Sequence, residues 1–232
     1  MEPEISPFLE RATELSEPLN VGNAVHYRGM LNGRPVLLVR GGIGLVNAAG
    51  AATSALLLAG GDVPPLVISA GTAGGLGDGV RVGDVVIGTT TINADADARA
   101  FGYVLGQVPG MPASYSSPRD VVTASEAGIP QERSAASVHH GLMVSSYSFV
   151  GHDRAPIIKD QFAGVLATDM ESSAIAQTCY VFGAPFLAVR GISDLCGPAS
   201  DADFITHVDD AAERCAEVAL PVIDAWLGAT AG

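Results

Sequence analysis

Apolar runs of strand length recur along the chain, separated by stretches of helical length. The runs at residues 24–30, 35–40, 65–70, 84–90, 140–145, 164–168 and 185–193 read as strands. Val36, Leu37, Leu38 and Val39 are apolar without alternation, as are Leu66, Val67 and Ile68, the pattern of strands covered on both faces. Residues 45–59, rich in Ala and Leu and closed by Gly60 and Gly61, read as a helix with a glycine stop. A second helix is expected over 169–182, with Ile175, Cys179 and Phe182 on one stripe and Gly183 as terminator. The last is expected from about 208 to 227, where Val208, Ala211, Cys215, Val218 and Val222 fall near one face. The chain opens directly on an acidic, helix-like segment. Alternating strands and helices predict an α/β fold, and with no repeat or linker visible the span 1–232 reads as a single domain. The Gly- and Pro-rich stretch 106–117 lies between structured segments and reads as a functional loop.

Composition narrows the function classes. Hydrophobic residues make up 48% of the 232 and charged residues only 16%, enough apolar material for a large core and too little charge for a disordered chain. The net charge of −13 repels phosphate backbones and anionic membrane surfaces, so neither nucleic acid nor membrane is expected as a partner. The 3 cysteines, Cys179, Cys196 and Cys215, are far apart and form no CxxC, which argues against a disulfide framework or a structural zinc. The N-terminus lacks the basic flank and apolar core of a signal peptide, and no stretch approaches the roughly 18 apolar residues of a membrane span. A soluble cytoplasmic protein is expected.

Several segments could carry chemistry. Gly41, Gly42, Ile43 and Gly44 follow a strand and open a helix, a setting where backbone N–H groups approach an anion or polar ligand. The run fails as a dinucleotide fingerprint, because Asn47 stands where G-x-G-x-x-G needs Gly or Ala; a plain turn between packed strand and helix is the alternative. Gly71, Thr72, Ala73, Gly74 and Gly75 are expected as a small-residue loop after a strand, close to a ligand ring or sugar. Asp169 and Glu171 stand where a strand meets a helix. There the dipole keeps a carboxylate ionised, although both residues are also ordinary helix caps. Asp194 ends the apolar strand PFLAVRGIS, where desolvation raises a carboxyl's pKa and makes it a proton donor; a pair with Arg190 would shift it the other way. His139 and His140 are expected to straddle the two faces of a strand, and His26, His152 and His207 are isolated, so no metal site is expected. The segment from Gly191 to Leu195 lacks the final glycine of a nucleophile elbow.

Taken in order, GIG at 42–44, GTAGGL at 71–76, ADADARAFGYVLGQVPGMP at 94–112, SFV at 148–150, DMESSAIAQ at 169–177 and RGISD at 190–194 resemble the 5′-methylthioadenosine/S-adenosylhomocysteine nucleosidases, a group within the nucleoside phosphorylase superfamily. The likeness covers nearly the whole chain. It implies a three-layer α/β/α fold with a central mixed sheet, a homodimer, no cofactor, an adenine nucleoside as small-molecule partner, and hydrolysis of the adenine–ribose bond. Asp194, held by Ser193, matches the acid that protonates the leaving adenine at N7. Glu171 matches the glutamate that binds the ribose hydroxyls and steadies the cationic sugar, with Met170 packed on the ribose, and Glu4 matches the glutamate that activates water. Phe149 matches the ring stacked on adenine and Val150 the backbone contact to its edge. Ile43, Thr72, Ala73 and Gly74 fall in the matched glycine-rich segments and are expected to line the substrate. Phe101 and Pro109 match a loop that in family dimers covers the 5′ substituent in the neighbour's pocket, and Phe204 matches the aromatic closing that end. Such chemistry needs a proton donor for a poor leaving group, a carboxylate near an oxocarbenium-like sugar and a base for water.

The sequence also departs from its relatives. Hexameric phosphorylases place a phosphate-holding Arg where Ser69 stands, which favours water as nucleophile. Thr72 replaces the commoner serine, and Ala94 stands where some relatives have histidine. Family members carry a β-strand immediately before the Met-Glu-x-Glu segment; either the chain starts here at an internal methionine or the sheet manages without that strand, and Glu4 is expected to be less firmly anchored. A phosphorylase, or a nucleoside-binding relative without turnover, are the competing readings.

Overall fold

The computed structural model of the protein describes residues 1–128 and 137–230. In chain order the elements are α1 (Glu2–Arg11), β1 (Leu19–Val21), β2 (Ala24–Leu31), β3 (Arg34–Arg40), α2 (Leu45–Ala59), β4 (Val67–Gly75), β5 (Val85–Asn93), β6 (Tyr115–Ser116), α3 (Arg119–Gly128), β7 (Val138–Ser145), α4 (Ala155–Gln161), β8 (Val165–Asp169), α5 (Ser172–Phe182), β9 (Phe186–Asp194) and α6 (Ser200–Thr230). Every strand expected from the apolar runs is present, with shifted ends.

Three expectations are corrected. The small residues 71–75 are not a loop but the second half of β4, where they pair with β9 and, at Gly74 and Gly75, with β8. A ladder on both sides leaves no room for a flexible turn. The helix expected from 169 starts at Ser172, because Asp169 still pairs with Ser145 across β8 and β7 and its carboxylate accepts from the Ser172 N–H. The last helix begins at Ser200 rather than near 208; its first turns are mostly polar and exposed, with Phe204 alone extending the stripe ahead of Val208. The short elements β1, β6, α3 and α4 had no clear periodic signal.

β1, β2 and β3 form an antiparallel three-stranded sheet, and the other six form a mixed sheet in the order β6-β5-β7-β8-β4-β9. β5 also pairs antiparallel with β9, so five of these strands close on themselves. Helices cover both sides, and strand alternation decides which residue meets which helix. Val85, Ile87, Leu187 and Val189 pack with Phe8 of α1, Val121 of α3 and Cys215, Ala219 and Val222 of α6. Their neighbours Val86, Ala188 and Ile192 pack with Leu56 of α2 and Ala176 and Cys179 of α5. β9 is buried at every position, the arrangement its unalternating sequence announced.

No ladder joins β3 to β4 among the described residues. Both strands line one cavity of about 1220 Å³, larger than most small-molecule pockets. Val36, Leu38, Leu66 and Ile68 give it an apolar end, and it continues to a polar end bearing Glu4, Glu171 and Asp194. None of the helices among the described residues is long and apolar enough to cross a membrane.

The approach of α6 to β9 depends on one glycine: a Cβ on Gly191 would lie 1.9 Å from the Ala211 carbonyl oxygen. Backbone cannot yield as a side chain does, so Gly191→Ala is expected to destabilise the fold by about 3 kcal/mol or more, measured by urea unfolding.

Candidate active site

The site is assembled around a cation inside the core. Arg190, in the middle of β9, is 3% exposed, and its Nη2 lies 2.9 Å from Asp169 Oδ2 and 3.7 Å from Glu171 Oε2. The same nitrogen donates to Ser69 Oγ at 2.7 Å, and Ser145 donates to Asp169 at 2.5 Å. This overturns the pairing of Arg190 with Asp194 considered from sequence: residues four apart on a strand share a face but are separated by about 13 Å of backbone. Sequence reasoning named both Arg190 and Asp169 but missed their pairing with each other. Their signal was an Arg inside a wholly apolar strand, which folding buries and which therefore requires a carboxylate partner.

Two of the expected carboxyls face this cation. Glu171 follows β8 and its Oε1 accepts from the Gly44 N–H at 3.0 Å, so the glycine-rich turn holds an anion that the protein itself supplies. Burial pushes the Glu171 carboxyl up, with the charges of Asp169 and Glu4 adding to it, and Arg190 only partly opposes this. Glu4, on α1, reaches β4: its Oε1 accepts from the Thr72 N–H and the Thr72 hydroxyl, each at 2.9 Å. Its Oε2 is 2.5 Å from the Met1 ammonium. Burial raises Glu4, and the charge of Arg190 and the Thr72 N–H act against it. Glu4 is thus tied to the main sheet through Thr72, a firmer anchorage than a helix at the chain start suggests.

Asp194 stands apart from the cation. It ends β9 at 2% exposure, accepts from the Cys196 N–H at 2.9 Å and from Ser193 Oγ at 3.1 Å, and is raised by burial despite those bonds. Gly71 and Gly74 of β4 set the spacing. A Cβ on Gly71 would meet Glu4 Oε1 at 2.7 Å, and one on Gly74 would meet Asp194 Oδ1 at 3.1 Å. Three residues of strand, with a register shift between Ala73 and Gly74, set the two carboxyls' approach points roughly 10 Å apart.

Around them the cavity is lined by Ile43, Thr72, Ala73, Gly74, Phe149, Val150, Met170, Ser193 and Phe204. Phe149 and Phe204 meet edge to face with centroids 6.1 Å apart. Phe101 and Pro109 do not line the cavity; both are exposed, Phe101 at 83%.

Two stability measurements follow from these environments. Arg190→Met leaves Asp169 buried without its counter-ion, and the unfolding free energy in urea is expected to drop by about 3–5 kcal/mol. Folded Asp194 keeps its proton to higher pH than the unfolded chain does, so stability falls as pH rises through the raised value. Asp194→Asn cannot ionise; by calorimetry it is expected to melt above the parent in mildly alkaline buffer and to lose that advantage in acid.

Residues 1–224 match the model of the phosphorylase superfamily. The 5′-methylthioadenosine/S-adenosylhomocysteine nucleosidase of Staphylococcus carnosus (strain TM300) is 37% identical over 224 residues, 96% of this chain and 96% of that protein. The protein of the same name from Anoxybacillus flavithermus is 38% identical over 94% of this chain and 92% of its own length. The crystal structure of the Neisseria meningitidis nucleosidase in complex with methylthio-immucillin-A superposes with a TM-score of 0.90 at 37% identity, covering 96% of this chain and 95% of the other. The Colwellia psychrerythraea enzyme in complex with adenine also scores 0.90, at 30% identity, covering 97% and 92%. The mixed sheet flanked by helices, the carboxyls gathered at its strand ends and this near full-length similarity agree: the chain belongs to the phosphorylase superfamily and, within it, to the 5′-methylthioadenosine/S-adenosylhomocysteine nucleosidases.

Proposed function

We propose that the protein hydrolyses the N-glycosidic bond of 5′-methylthioadenosine and S-adenosylhomocysteine, releasing adenine and the 5-substituted ribose. The observation that carries this reading is the different setting of two carboxyls on one cavity: Asp194 is raised by burial, and Glu4 accepts two bonds from Thr72 and lies in the field of the Arg190 cation. One is suited to give a proton and the other to take one. Asp194 protonates adenine at N7 as the bond from the anomeric carbon to N9 breaks and its electron pair leaves with the base. Glu171, beside the ribose, steadies the positive charge that develops on the sugar and binds its hydroxyls, with Met170 against the ring. Glu4 takes a proton from the water whose oxygen bonds to the anomeric carbon. Phe149 stacks on the base, and Val150 meets its edge.

Water is favoured over phosphate because Ser69, at the position where hexameric phosphorylases hold phosphate with Arg, is buried and engaged with Arg190. The exposure of Phe101 and Pro109, outside the cavity of their own chain, supports a homodimer in which each covers the 5′ end of the partner's substrate. Phe204 closes the same end from within the chain. A cytoplasmic location and a single domain complete the reading.

Adenine release from methylthioadenosine is expected to proceed equally with and without phosphate; strict phosphate dependence, with ribose 1-phosphate as product, would refute the hydrolase. Asp194→Asn is expected to lower kcat by about 10²–10⁴-fold. The parent's kcat/KM is expected to be bell-shaped in pH, falling in acid as Glu4 is protonated and in alkali as Asp194 loses its proton.

A further inference from the structure

The residues just ahead of Phe149 are held by a polar unit that none of the roles above uses. Ser146 is fully buried, and its Oγ donates to Asp95 Oδ1 at 3.2 Å. The same oxygen accepts from Arg154 Nη1 at 2.7 Å and from the Ser148 N–H at 3.1 Å, so its one proton and both lone pairs are engaged. Asp95 also accepts from the Tyr147 N–H at 2.6 Å and from Arg154 Nη2 at 2.8 Å. These bonds hold the Asp95 carboxyl below its ordinary value against the opposing effect of burial. Asp95 stands just after β5, at the head of the loop that bears Phe101 and Pro109, and Arg154 immediately precedes α4. Two loops and the start of a helix therefore converge on consecutive backbone N–H groups, those of Tyr147 and Ser148. The next two residues, Phe149 and Val150, line the cavity.

We propose that Asp95, braced by Arg154 and Ser146, is a positioning residue for recognition of the base, fixing the 146–150 loop in its binding conformation and tying it to the 94–112 loop. The inference rests on the reading of Phe149 and Val150 as the residues that meet adenine. A carboxylate accepting from a backbone N–H is roughly twice as strong as a neutral pair. A loop so held binds its ligand without first being ordered, and that ordering is the free energy a loosened loop withdraws from affinity.

The test is calorimetric titration of adenine into the full chain and its Asp95→Asn, Asp95→Ala and Phe149→Ala variants, alongside kcat and KM for methylthioadenosine and melting temperatures. Asp95→Ala is expected to weaken adenine binding and raise KM by about tenfold, with kcat changed by less than about twofold. Asp95→Asn, which keeps one oxygen to accept either from Ser146 and Arg154 or, turned over, from Tyr147, is expected to lose less. A lower melting temperature with the adenine dissociation constant of both Asp95 variants unchanged overturns the proposal. If Phe149→Ala alone weakens adenine binding, the base site stands and the positioning role falls. Should neither Phe149→Ala nor Asp95→Ala shift it, the reading of the base site falls and takes this inference with it.

Discussion

A guanidinium sealed inside a β-sheet must be neutralised, and that requirement organises the active end of this fold. Arg190 has too little exposure to be solvated, so the structure brings it Asp169 from β8, Ser69 from β4 and Glu171 from the turn ahead of α5. A buried pair of this kind is weak evidence for net stability, since desolvation offsets most of the attraction. Its value here is positional. It ties β4, β8 and β9 to one another and leaves Glu171 between a cation and the N–H of Gly44, with Glu4 also within reach of the positive charge.

The same constraint explains the small residues of β4. Gly71 makes room for Arg190 and Glu4, since a Cβ there would lie 2.3 Å from Nη1 and 2.7 Å from the carboxylate. Gly74 makes room for Cys196 and Asp194 in the same way. Asp194 and Glu4 thus approach different points of one slender strand. Asp194 has hydrogen bonds, and burial prevails; at Glu4 the Arg190 cation opposes burial.

Much of this was legible in the residues and some was not. The strands showed because unbroken apolar runs such as Val36 to Val39 and Phe186 to Val189 have few other destinations in a folded chain. Motif order located Asp194, Glu171 and Glu4, and the structure sets all three around one cavity. The closure of β5 on β9 was hidden, because pairing between distant strands leaves no local periodicity. The glycines of β4 suggested a loop because their usual meaning is turn freedom, whereas here they allow close approach. Arg190 was misassigned for a related reason: spacing along a strand reveals its face, but which neighbouring strand brings the counter-ion is a property of topology. The start of α6 was misplaced because its first turns overhang the cavity and are largely exposed, although Phe204 continues the stripe one turn ahead of Val208.

The gap between β3 and β4 has a kinetic meaning. Hydrogen bonds across a ladder make neighbouring strands open together, and elements without such a ladder open as separate units at lower free energy. The β1-β2-β3 sheet is joined to the rest by packing with α1 and α2 rather than by backbone pairing to β4. α1 packs more on α6 than on β3, and α2 more on α5, so Glu4 and Gly44 stay with the core beside Asp194 and Arg190 of β9. The amides of β3 should therefore exchange with solvent faster than those of β9. The cavity would then open along the seam between β4 and β3, with the carboxyls of Glu4, Glu171 and Asp194 remaining on the core side.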